Sequence, residues 1–169
     1  MPTDPQHETV AAALLTALRQ IGSQGSPDYF YRPKEVFRAR FYRESYLTCA
    51  ETYIILRGGS STWEREMNCE WLVEREFFVL YAREERNAEE QPWRIEPSDG
   101  GEPPTLVQER MLADIEQALA NDTLGEGPSE GPAERVDITG VEYGYDYPAY
   151  TMLETTLLVT YRIPKRTVN

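Results

Sequence analysis

The chain of 169 residues has one histidine, two cysteines and a deficit of positive charge, 17 Lys and Arg against 29 Asp and Glu, for a net charge of −12. Each shortage excludes something. A single histidine, His7, and the pair Cys49 and Cys69 supply too few ligands for a structural zinc site or a disulfide framework. The cysteines read as two buried thiols unless their strands are neighbours. The acidic balance opposes general nucleic-acid binding, which draws its affinity from Lys and Arg displacing counterions; it is compatible with a wall past which DNA slides. No window approaches the roughly 18 apolar residues of a membrane span. The opening MPTDPQHETV lacks the basic and apolar regions of a secretory leader, so synthesis in the cytoplasm is expected.

Catalytic signatures are missing as well. There is no Gly-x-Ser-x-Gly elbow, no Cys–His pair near a strand–helix turn and no dinucleotide fingerprint. Gly58-Gly59 lacks both the spacing and the trailing lysine of a phosphate loop. Glu64, Glu66, Glu70, Glu74 and Glu76 alternate along strand-like sequence, and such a row is ordinarily the wet face of a sheet; a metal-dependent hydrolase needs carboxylates or histidines converging on one point. No enzyme activity, cofactor or metal is expected.

What the chain does contain is a 40% apolar, 11% aromatic composition that suits one folded domain. Its organising stretch is Thr105–Gly127, in which Val107, Met111, Leu112, Ile115, Ala118 and Leu119 recur at helical spacing, with Glu109, Arg110, Glu116 and Gln117 toward water. Gly125 or Gly127 provides the stop. An earlier helix is predicted over Pro5–Ile21, with Thr3 or Asp4 as N-cap, a stripe of Val10, Leu14, Ala17, Leu18 and Ile21, and Gly22 ending it.

Strands are predicted over Glu35–Tyr42, Leu47–Arg57, Asn68–Arg83, Val136–Tyr147 and Tyr150–Ile163. In the third, Trp71, Val73, Phe77, Val79 and Tyr81 oppose Leu72, Phe78, Leu80 and Ala82, the pattern of a central strand covered on both sides. The fourth carries Ile138, Val141, Tyr143 and Tyr145 and is expected to bend at Gly140 or Gly144. Flexible loops are predicted near 57–66, where Arg57-Gly58-Gly59-Ser60-Ser61 reads as a hairpin connection, and over 84–104 and 125–134. The order of elements predicts an α+β fold: an antiparallel or mixed sheet of about five strands with two main helices packed on one face.

Charge is uneven. Arg32, Lys34, Arg38, Arg40 and Arg43 make 28–43 basic, as are Arg162, Lys165 and Arg166, whereas 64–102 is acidic. Solvated surface accounts for such a split, and so does a head-to-tail interface between copies. The aromatic run Tyr29, Phe30, Tyr31 reads as cover for a core edge or as interface.

At Ala118–Gly127, ALANDTLGEG, and at Val159-Thr160-Tyr161-Arg162 in the last strand, the chain resembles the tail terminator (tail completion, minor tail protein) family of tailed bacteriophages. The layout is similar too: an N-terminal helix, a long hairpin-rich sheet, a second helix leaving through an Asp-x-Thr-Leu-Gly-like stretch, then a strand pair. The acidic loop 84–104 and the aromatic, basic segment 22–43 depart from the simplest family pattern.

The resemblance implies a structural virion protein, assembled in the host cytoplasm. As a ring, typically a homohexamer, it would cap the tail tube, end its polymerisation and join the head or neck connector, while genomic DNA passes through the lumen without specific binding. Interface candidates are then Arg32, Arg38, Arg40, Arg57, Trp63, Glu84, Glu85, Trp93 and Arg162. A neck or head–tail connector adaptor ring is the near alternative; a small acidic regulator that binds one protein partner is the rival of another class.

Overall fold

A computed structural model describes residues 5–22, 29–39, 52–65, 70–84, 104–120, 132–146 and 150–164, with the backbone alone at 65, 84, 104, 145, 146 and 150. The elements are α1 (Gln6–Leu18), β1 (Glu35–Arg38), β2 (Tyr53–Arg65), β3 (Glu70–Glu84), α2 (Pro104–Ala120), β4 (Arg135–Asp146) and β5 (Tyr150–Pro164). They form one mixed five-stranded sheet of order β1-β2-β3-β5-β4, in which β1 runs parallel to β2 and the other pairs are antiparallel. The α+β fold read from the sequence is the fold observed.

Both helices lie on one face of the sheet. Val10, Leu14 and Leu18 of α1 and Val107, Met111, Ile115 and Ala118 of α2 share a buried cluster with Ile54, Leu56, Val73, Phe77, Val79, Tyr81, Leu153, Leu157, Val159 and Tyr161. The period-two alternation along β3 and β5 puts these residues together, and each fully buried side chain of this size contributes about 1.5–3 kcal/mol. The other face carries a smaller cluster of Tyr53, Ile55, Leu80 and Ala82. Strand β3 is central, as its two apolar faces predict.

Three readings change. First, Pro5 itself is the N-cap of α1, with φ −55° and ψ 140°, and it caps without a side-chain hydrogen bond. Second, β1 is a four-residue strand, shorter than the predicted 35–42; Arg40 to Tyr42 lie outside the described residues. Third, Arg57–Arg65 is not a flexible hairpin connection. Strand β2 continues through it and pairs with β3 up to Arg65↔Trp71, with a register shift between Gly58 and Ser61.

The glycines there mark close approach instead of a turn. A Cβ on Gly59 would stand 2.7 Å from the Phe78 ring and 3.2 Å from the Glu76 carbonyl oxygen. Gly59→Leu is therefore expected to cost about 1–3 kcal/mol by overpacking, against no more than about 0.5 kcal/mol for an exposed loop; urea denaturation measures the difference. Strand β4 has its own irregularity between Ile138 and Gly140. That extra residue is why its helix-side positions pass from Val136 and Ile138 to Val141 and Tyr143.

Of the remaining predicted loops and ends, 85–103 and 121–131 lie outside the described residues, as do Cys49 and Cys69.

Candidate assembly surface

Segment Tyr29–Lys34, a strap between α1 and β1, is fixed by two contacts that periodicity does not reveal. Gly22 closes the α1 end with φ +66°, and a Cβ there would lie 2.6 Å from the Arg32 Cα and 2.8 Å from the Tyr31 carbonyl oxygen. The left-handed conformation and the flush backbone contact both require glycine. On the other side, Asp114 of α2 accepts the backbone N–H of Phe30 at 2.7 Å and that of Tyr31 at 3.1 Å, and the Tyr81 hydroxyl donates to it at 3.3 Å.

Asp114 is 1% exposed. Burial raises its carboxyl above the ordinary value, while the Phe30 and Tyr31 N–H groups and the Tyr81 hydroxyl pull it back. Burial and the Asp114 charge push the Tyr81 phenol strongly up, so it stays a neutral donor. Gln108, equally buried, gives its amide to the carbonyls of Gly144 at 3.2 Å and Met152 at 3.0 Å. Gln108 and Asp114 border the apolar stripe of α2 on either side, one joining it to β4 and β5, the other to the strap and β3.

With its backbone clamped, the strap turns Phe30 outward, 57% exposed. The Arg110 guanidinium lies over its ring, 5.2 Å from the centroid, and Arg83 lies 4.5 Å over Tyr31. Leu106, one helical turn before Arg110, is 40% exposed. Tyr143, also exposed, donates to Glu109 across the outer side of α2; burial and that carboxylate raise its phenol pKa. The outer side of α2 thus bears Phe30, Leu106 and Tyr143, three of the four large hydrophobic side chains exposed among the described residues.

The fourth is Trp63, at the far end of the sheet. It is 51% exposed, packs edge-on against Trp71 with centroids 6.3 Å apart, and donates its indole N–H to Ser61. On the opposite, helix-free face Glu64 and Glu74 are exposed, and they share that face with Glu70 and Glu76 by register. Four members of the predicted acidic row thus share a sheet face, while Glu66 lies outside the described residues, and no cluster that could hold a metal ion occurs among the described residues.

The interface candidates separate into distinct places. Arg38 is drawn into the chain by two hydrogen bonds to Glu8, at 2.5 and 3.2 Å, which hold that carboxyl below its ordinary range. Arg162 is held by Glu134 and lies 3.6 Å from Glu70. Arg57 lies over the Phe78 ring, 4.5 Å from its centroid, on the helix-free face. Arg32 stays exposed on the strap and Trp63 on the far hairpin end. Glu84 ends β3. Arg40, Glu85 and Trp93 lie outside the described residues.

Sequence reasoning missed Asp114 and Gln108. Their polarity reads as solvent-facing, and the only signal was their position at the border of the stripe. Compared with known proteins, the chain matches no family model and no curated protein.

Proposed function

We propose that this chain is a structural subunit that assembles head to tail into a ring at the end of a phage tail tube, as tail terminators do. The resemblance at Ala118–Gly127 and in the last strand suggests the tail. The observation that carries assembly is the presence of two different apolar patches, Trp63 at one end of the sheet and Phe30 with Leu106 at the other. A symmetric dimer needs one self-complementary patch; a closed ring needs two unlike ones.

In this reading the helix-free face lines the lumen. Its exposed or half-exposed carboxylates Glu74, Glu76, Glu142 and Glu154 oppose phosphate binding, so DNA passes without adhering. The partners are further copies of this chain, tail tube subunits and a connector. A neck adaptor ring uses the same surfaces and differs in what it caps.

The test is to add the purified chain to polymerising tail tube subunits from the same phage and measure tube length by negative-stain microscopy. A terminator halts growth and leaves a ring at one tube end. Tubes that elongate unaltered would overturn the tail-terminator assignment and leave the adaptor position as the surviving ring reading.

A further inference from the structure

We draw no further inference here: the strongest candidate, the apolar cluster of Tyr53, Ile55, Leu80 and Ala82 on the helix-free face of the sheet, carries none because nothing among the described residues shows what covers it.

Discussion

Asp114→Ala is expected to lower the unfolding free energy by about 3–4 kcal/mol, a large share of the stability of a domain this size. The substitution leaves the Phe30 and Tyr31 N–H groups and the Tyr81 hydroxyl without their acceptor. Hydrogen bonds to a charged acceptor are worth about 1.5–3 kcal/mol each, and part of that is returned because a carboxylate no longer has to be buried. Asp114→Asn keeps one oxygen acceptor and is expected to cost about 1–2 kcal/mol. Thermal unfolding reads the alanine variant as a fall of about 10 °C.

The pH dependence has a defined sign. Burial raises the Asp114 carboxyl above its ordinary value of 3.8. Between that value and the raised one, the folded chain binds more protons than the unfolded chain, so this group's contribution to stability falls as pH rises. It is fully present below 3.8 and lost as pH climbs through the raised value. Asparagine does not titrate. The stability of wild type relative to Asp114→Asn is therefore expected to decline as pH rises above 3.8; a flat difference would mean that Asp114 is not desolvated in solution.

Gly22→Ala is the second large effect, expected at about 2–4 kcal/mol. An L-residue in the left-handed region costs about 1–2 kcal/mol, and the new methyl would meet the Arg32 Cα at 2.6 Å, where overpacking adds about 1–3 kcal/mol. The neighbour is backbone, so no rotamer change relieves it. The strap must move, and Phe30 with it. Gly22→Ala should thus lower both thermal stability and the capacity to associate, whereas Phe30→Asp should lower association alone.

The fold was readable because its signals are local and periodic. The i, i+3, i+4 stripe of α2, the alternation along β5 and the two apolar faces of β3 give element type, and their order gives the class. The Gly58-Gly59 pair misled because glycine marks both turns and close packing. Only the partners, Phe78 and Glu76 across the pair and Arg75 in the adjoining register, distinguish the two.

The exposure of the candidate residues was half legible. Trp63 and Arg32, both candidates from the sequence, are exposed. Arg38 and Arg162 looked equally available, yet Glu8 and Glu134, 30 and 28 positions distant, bind them. Asp114 was silent for the same reason: its donors Phe30, Tyr31 and Tyr81 lie 84, 83 and 33 positions away. Contacts of that range follow from the fold and cannot be read before it.

The central claim is that unlike ends of this sheet join copy to copy and close. Light-scattering mass of the wild-type chain, followed over a hundredfold range of concentration (about 1–100 μM, where interfaces of this class saturate), tests it most directly. The account predicts growth from the 19.5 kDa monomer to one discrete multiple that then stays constant, as a closed ring requires. A monomer throughout, a species that stops at a dimer, or mass that increases without limit would contradict it.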